Sequence, residues 1–182
     1  MLIMSVIPAE AKKNASIAEY IIHMYQTEDL ILNYKLNLDD ILEYVIKHMS
    51  SDEEILKKLI LWYADIIEQM HNEDVVETSK RLSATQYYVD QLTSIHEHLL
   101  EEDPEYQIKY HKADDDIRHH IGLSNNKINN PIQICLNGIY GMLLLKLNGK
   151  KITDEQQTTL TRFGAVLEHL SEAYKKEFPP SK

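Results

Sequence analysis

Apolar side chains recur every three or four positions in seven separate segments of this 182-residue chain. This period places them on one side of an α-helix, whereas a half-buried strand would alternate apolar and polar residues. In the third segment the recurring residues are Ile55, Leu59, Trp62, Ile66 and Met70. The pattern predicts helices over residues 17–34, 38–49, 51–71, 74–101, 104–121, 131–147 and 153–174.

Residues typical of helix ends stand at the borders of these segments. Ser16 precedes Glu19 by three positions, which is the spacing of a capping box. Pro104 and Pro131 each follow a short polar side chain, the order expected where a helix starts. Glycine and proline number only five each, too few for the many turns of a β-sandwich or barrel. The fold class that we predict is therefore all-α.

No flexible linker and no internal repeat divides the sequence. The last two predicted helices need the others to bury their apolar sides. We therefore expect one domain over residues 1–182, a helical bundle of about seven helices, with residues 1–13 loosely ordered and 178–182 as a tail. The third helix has a wide apolar side, so we expect it to be central in the core.

The charge of the chain limits the partners that it can bind. The formal net charge is −10 and no basic patch offsets it, so we expect no binding to nucleic acid. The apolar stretch over residues 132–147 contains Gln133, Asn137 and Lys146 and is too short to span a membrane. A single cysteine, Cys135, excludes a disulfide within the chain. These features predict a cytoplasmic protein with no membrane contact.

Glu28 is the charged residue that fits its surroundings least well. Its position on a helical projection lies near the centre of the apolar side of the first predicted helix. A buried carboxylate needs a partner or a proton, or it must face a cavity. One interpretation is structural, with Glu28 at the wet end of the stripe or tied to a Tyr, Gln or Arg of a neighbouring helix. The other is a carboxylate at a ligand pocket or an interface. Asp29 points about 100° away, so we expect it not to share a site with Glu28.

Two further polar residues lie on the inner side of the fourth predicted helix, Gln86 and His96. Together with Tyr25 and Glu28 they are the candidate ligand-binding residues, although the sequence places no contact between Glu28 and His96. A single inward histidine is also compatible with a hydrogen-bonded core residue.

Histidine and aspartate at a spacing of four residues raise the question of a metal site. His111, Asp115 and His119 share one side of the fifth predicted helix, opposite its apolar stripe. Three ligands over two helical turns diverge too far to hold one ion, so we interpret this side as solvated and predict no metal site.

Three segments resemble a known family. The run of residues 14–31, NASIAEYIIHMYQTEDLI, is similar to an "N-I-A-E-Y … W-Q-x-E-D-L-I" signature, with Tyr25 where an aromatic residue is expected. Residues 136–147 and Tyr174-Lys175-Lys176 are similar to later motifs of the same family. The chain thus resembles a helical family, mainly from Bacteroidetes, that is catalogued as domain of unknown function 4924. The resemblance implies an all-helical single domain and no activity, and it directs attention to the matched residues Tyr25, Gln26, Glu28, Asp29, Tyr140 and Gly141.

The sequence contains no phosphate-binding glycine loop, no HExxH motif and no nucleophile beside an evident base. We therefore expect a non-enzymatic interaction or scaffold protein with no cofactor, whose partner is a second copy in a homodimer or another protein. The alternative is a small-molecule-binding protein, or an enzyme, with a pocket between helices near Glu28.

Overall fold

The computed structural model of the protein describes residues 9–78 and 80–179. These residues form nine α-helices, one short 3₁₀ turn (Ile46–His48) and no strand, which confirms the all-α prediction. The α-helices are α1 (Ala9–Ala15), α2 (Ile17–Asn33), α3 (Leu38–Tyr44), α4 (Glu53–Asn72), α5 (Val75–Thr78), α6 (Ser83–Glu102), α7 (Pro104–Leu123), α8 (Pro131–Leu147) and α9 (Asp154–Glu177). Among these nine, α1 was not predicted, and the single-turn α5 lies within the predicted helix 74–101.

Side chains cap most of the long helices where the sequence suggested. The Ser16 hydroxyl accepts the backbone N–H of Glu19, and Asp103 and Asn130 accept two backbone N–H groups each at the starts of α7 and α8. Thr153 and Gln156 complete a capping box at the start of α9. Each cap satisfies N–H groups that have no partner within the helix, which defines where the helix begins.

Three predicted segments differ from the structure. The predicted helix 38–49 is α-helical only over Leu38–Tyr44, and the 3₁₀ turn Ile46–His48 follows it. Residues 9–13, expected to be loosely ordered, belong to α1, whereas residues 1–8 and 180–182 lie outside the described residues. The predicted helix 74–101 is interrupted after α5, and α6 begins only at Ser83. The Glu73 carboxylate accepts both the backbone N–H and the hydroxyl of Ser83, each at 2.7 Å, and so caps α6 from outside the helix.

Two apolar clusters share α2. The first, which we call the bundle core, combines the start of α2 with α6, α7, α8 and α9 and includes Ile21, Tyr106 and Phe163. The second, the α4 core, combines Met24 and Ile31 of α2 with α3, α4 and α5. The third predicted helix, α4, contributes Tyr63, Ile66, Ile67 and Met70 to the second cluster, and no described residue of α4 belongs to the bundle core. The helix common to both clusters is α2.

The close packing of α8 against α9 depends on one glycine. A Cβ atom at Gly138 would lie 2.6 Å from the Phe163 ring, whereas a Cβ at Gly141 would meet nothing within 4 Å. The close approach of α8 to α9 therefore requires glycine at position 138 and not at position 141. No helix in residues 9–78 and 80–179 has both the length and the apolar character needed to cross a membrane.

Candidate functional site

Glu28 is fully buried where α2 faces the start of α6. The Thr85 hydroxyl donates a hydrogen bond to its Oε1 at 2.6 Å, and the backbone N–H of Leu82 donates to Oε2 at 3.4 Å. Arg81 places Nη1 3.6 Å from the same Oε2. Burial is the main reason why the pKa of Glu28 is raised, since the hydrogen bond from Thr85 and the charge of Arg81 act in the opposite direction.

Asp29 shares Arg81 with Glu28. Its Oδ1 lies 2.6 Å from Nη1 of Arg81, and its Oδ2 accepts a 2.6 Å hydrogen bond from the Tyr140 hydroxyl. The expectation that the two neighbouring carboxylates do not share a site is therefore wrong. The helical projection correctly gave the two carboxylate side chains different directions. The long side chain of Arg81 lies across the side of α2, so its guanidinium reaches both.

Tyr25 forms the apolar support beneath this ion pair. The Arg81 guanidinium lies over the Tyr25 ring, 4.4 Å from its centroid, within the range of a cation–π interaction. The Tyr25 hydroxyl accepts a 2.7 Å hydrogen bond from Nε2 of Gln133, and the same amide group donates to Oδ1 of Asn137 at 2.8 Å. The polar contacts thus continue from α2 onto α8.

We call this set of contacts the Arg81 network. Its members are Tyr25, Glu28, Asp29, Arg81, Thr85, Gln133, Asn137 and Tyr140. Burial raises the pKa of both tyrosines, and the hydrogen bond to Asp29 adds to the effect at Tyr140. These hydroxyls therefore stay protonated near neutral pH and act as hydrogen-bonding groups.

A groove of about 860 Å³ runs along the solvent side of the network, between the start of α6 and α8. Its lining includes Arg81, Gln86, Gln133, Asn137, Tyr140 and Gly141. The volume lies within the range of roughly 300–1,000 Å³ that is common for small-molecule sites. Polar side chains with fixed orientations therefore line a cavity of suitable size.

The four candidate ligand-binding residues do not all meet. Tyr25 and Glu28 lie in the network behind the groove wall, and Gln86 lines the groove while donating a hydrogen bond to Asp90. His96 lies eleven residues beyond Thr85 on α6, which is about 16 Å along the helix axis. The structure thus brings the first three to one region and places His96 elsewhere. Ligand binding by any of them stays a prediction.

His96 belongs to a second buried polar contact. Its Nδ1 lies 2.6 Å from the Tyr106 hydroxyl within the bundle core. Burial lowers the pKa of His96 to about 4, so the ring is neutral at physiological pH. This contact agrees with the structural interpretation, in which His96 is a hydrogen-bonded core residue.

Sequence reasoning missed Arg81 and Thr85, and it considered Gln133 and Asn137 only as obstacles to a membrane span. Arg81 lies before α6, outside any helical stripe, so its position on a projection carried no information. Gln133 and Asn137 are four residues apart in an otherwise apolar helix, and that spacing was a usable signal. The family resemblance directed attention to Asp29, Tyr140 and Gly141, which all lie in or beside the network.

The suspected metal ligands remain on the surface. His111, Asp115 and His119 are exposed along α7, as the solvated interpretation predicted. Among residues 9–78 and 80–179, no three His, Cys, Asp or Glu side chains are grouped closely enough to hold an ion.

Comparisons with other proteins address the family rather than the activity. No curated protein and no solved structure matches the chain significantly. Residues 4–178 match a family described as a domain of unknown function (DUF4924). That match covers almost the whole chain and agrees with the signature around Tyr25 and Glu28. The chain therefore belongs to the DUF4924 family.

Proposed function

We propose that this chain is a non-enzymatic binding protein that holds a small ligand in the groove between α6 and α8. The observation that carries this proposal is that Arg81, Gln133 and Tyr140 line the groove and are also held from behind by the Arg81 network. Side chains that are already oriented lose little conformational freedom when a ligand arrives, which favours affinity.

The state of the carboxylates favours binding over catalysis. Asp29 is engaged by Arg81 and Tyr140, and Glu28 by Thr85 and the Leu82 backbone. A general base must reach the proton of a substrate with a free lone pair. These carboxylates instead use their oxygens to fix the groove wall, so we assign them a structural part in ligand recognition.

The proposal is tested by a screen that reports where a ligand binds. A fragment library of neutral, cationic and anionic compounds is added to the ¹⁵N-labelled chain, and amide shifts are followed by NMR. We expect hits that shift the Gly141 backbone amide and the side-chain amides of Gln133 and Asn137. Shifts that cluster elsewhere, for instance around Leu61 on α4, would contradict the proposal.

Two matched glycine variants make the screen specific. Gly141→Leu adds bulk to the groove, whereas Gly122→Leu adds the same bulk to an exposed site on α7 that does not line it. A Cβ at either glycine meets nothing within 4 Å. Leucine also favours the helix over glycine, so neither variant should lose stability. We expect Gly141→Leu to abolish the shifts and Gly122→Leu to preserve them.

A second candidate function is protein interaction, including the homodimer that the sequence suggested. It is favoured by the exposed apolar end of α8, where Leu144 and Leu147 are 38% and 46% exposed. Apolar side chains grouped on a surface are typical of interfaces. Light scattering over a range of concentrations should then show a dimer that Leu144→Glu with Leu147→Glu dissociates. A monomer at every concentration would reject the homodimer.

We also propose a cytoplasmic location. The single cysteine, Cys135, is buried and unpaired, and burial raises the pKa of its thiol. A free thiol is typical of reducing compartments. Cell fractionation with an antibody against the chain would test this, and recovery outside the cytoplasm would reject it.

A further inference from the structure

We propose that the groove recognises an uncharged carboxamide group of its ligand, through the paired side-chain amides of Gln133 and Asn137. This inference rests on the proposed function, since it names the chemistry of the ligand that the groove would hold. It follows from which hydrogen-bonding atoms of the groove are already used and from the balance of charge in its wall.

The first step concerns the two side-chain amides on α8. Nε2 of Gln133 carries two N–H bonds, and it donates to the Tyr25 hydroxyl and to Oδ1 of Asn137. Both donors of Gln133 are therefore engaged, and its Oε1 is left as an acceptor. Because Oδ1 of Asn137 accepts from Gln133, Nδ2 of Asn137 is left as a donor.

The second step concerns what this pair of atoms complements. Gln133 and Asn137 are one helical turn apart on α8 and both line the groove. Together they offer one acceptor and one donor on the same side of the helix. A carboxamide or a peptide bond carries one C=O and at least one N–H, so it can satisfy both atoms at once. A carboxylate carries only acceptors and would leave Oε1 of Gln133 without a donor.

The third step concerns charge. Lys80 and Arg81 are the cations of the groove lining. Arg81 is neutralised by Asp29, and the Glu73 carboxylate supplies a second negative charge to the lining. Two cations are therefore matched by three carboxyl groups, those of Asp29, Glu28 and Glu73, so the groove wall has no positive charge in excess for an anionic ligand. The chain as a whole carries a net charge of −10, which opposes an anionic ligand further.

The test uses three probes that separate amide from charge and small molecule from peptide. Glutaramide presents primary amides, glutarate presents carboxylates on the same carbon chain, and an N-acetylated, C-amidated tetra-alanine peptide presents peptide bonds. Dissociation constants are measured from the NMR shifts of the Gln133 and Asn137 side-chain amides. We expect glutaramide or the peptide to bind at least tenfold more tightly than glutarate. The tighter of the two identifies whether the source of the amide is a small molecule or a peptide.

Variants of the donor atom complete the test. Asn137→Asp keeps the acceptor for Gln133 but replaces the free donor by an acceptor, so we expect about a tenfold loss of amide binding. Asn33→Asp makes the same change at an exposed position at the end of α2 and should leave binding unchanged. If Asn137→Asp alters the fold, Asn137→Ala provides a neutral variant that has no side-chain donor, and the same loss is expected.

Two failures are distinguishable. Glutarate that binds the groove as tightly as glutaramide would overturn the carboxamide inference while leaving the groove as a binding site. Amide binding that Asn137→Asp does not change would also overturn it. If neither these probes nor the fragment library shifts any groove residue, both the inference and the proposed function are wrong.

Discussion

Two of the buried polar regions within residues 9–78 and 80–179, the Arg81 network and the His96–Tyr106 contact, differ in charge and in connection to the surface. The Arg81 network joins α2, the segment before α6, and α8, and it ends at the groove. The contact between His96 and Tyr106 lies within the bundle core and joins only α6 and α7. Both regions arise from polar residues on the inner side of amphipathic helices.

The difference follows from the cost of burying each kind of group. A neutral imidazole and a phenol satisfy each other with one hydrogen bond, so the surrounding residues can be apolar. A carboxylate needs several donors or a counter-charge, and these must come from more than one helix. A charged residue in a core therefore organises a larger site, and here that site borders a groove.

Loss of Arg81 should have the largest effect on stability. Arg81→Met keeps much of the side-chain volume but leaves Asp29 and Glu28 without their shared cation. We expect a loss of about 2–3 kcal/mol in the free energy of unfolding, below the roughly 3–5 kcal/mol of a fully buried pair because Arg81 is partly exposed. Urea denaturation measures this change. Arg118→Met is the control, because the Arg118 side chain is 74% exposed in its ion pair with Asp114 and its loss should matter far less.

An equal loss in the two arginine variants would show that the Arg81 network is an ordinary surface ion pair. The Arg81 network would then contribute no more to the free energy of unfolding than an exposed ion pair does, and its difference in charge from the His96–Tyr106 contact would not matter for stability.

Loss of the Tyr106 hydroxyl should have a smaller effect. Tyr106→Phe leaves Nδ1 of His96 without its partner in the bundle core, and we expect a loss of about 1–2 kcal/mol. The double variant with His96→Phe should cost less than the sum of the two single variants, because the unsatisfied nitrogen is then gone. Strictly additive losses, measured by urea denaturation, would show that the two side chains do not stabilise each other.

Much of the fold was predictable because it depends on local signals. Periodicity and caps such as Asp103 and Asn130 identified the long helices. The break before α6 was missed because Glu73 caps this helix from ten residues away, and no spacing rule covers that contact. The assignment of α4 to the second of two clusters could not be predicted, because a wide apolar side shows that a helix is buried somewhere but not which neighbours cover it.

The candidate site was predictable only in part. Glu28 was identified because its burial conflicts with its charge, and that conflict is visible on a helical projection. Its partners were not, because Arg81 and Thr85 come from a segment more than fifty residues away along the chain. His96 was grouped with Glu28 because both face inward, although a long helix such as α6 carries inward residues to both of its ends.

The smallest expected effect concerns pH, where the two regions should act in opposite directions. The folded pKa of His96 is lowered from 6.5 to about 4, so the unfolded chain binds the extra proton and stability falls as pH drops from 6.5 towards 4. The folded pKa of Glu28 is raised above 4.5, so the folded chain binds the extra proton and stability falls as pH rises above that value. A single titrating group changes the free energy of unfolding by at most about 1.4 kcal/mol per pH unit. Because the contributions of His96 and Glu28 have opposite signs, they partly cancel.

Single variants should separate the two contributions. His23 is also buried and has a pKa lowered to about 4, so it destabilises the folded chain on acidification as His96 does. Comparing the pH dependence of stability between variants is therefore more informative than measuring it for the native chain alone. In urea denaturation at a series of pH values between 4 and 7, Glu28→Gln should lose stability more steeply on acidification than the native chain. His96→Phe should lose it less steeply, and the exposed control Glu97→Gln should follow the native profile. If Glu28→Gln also followed the native profile, the carboxyl of Glu28 would titrate alike in the folded and unfolded chain, and the contacts of the Arg81 network would offset the cost of its burial in full.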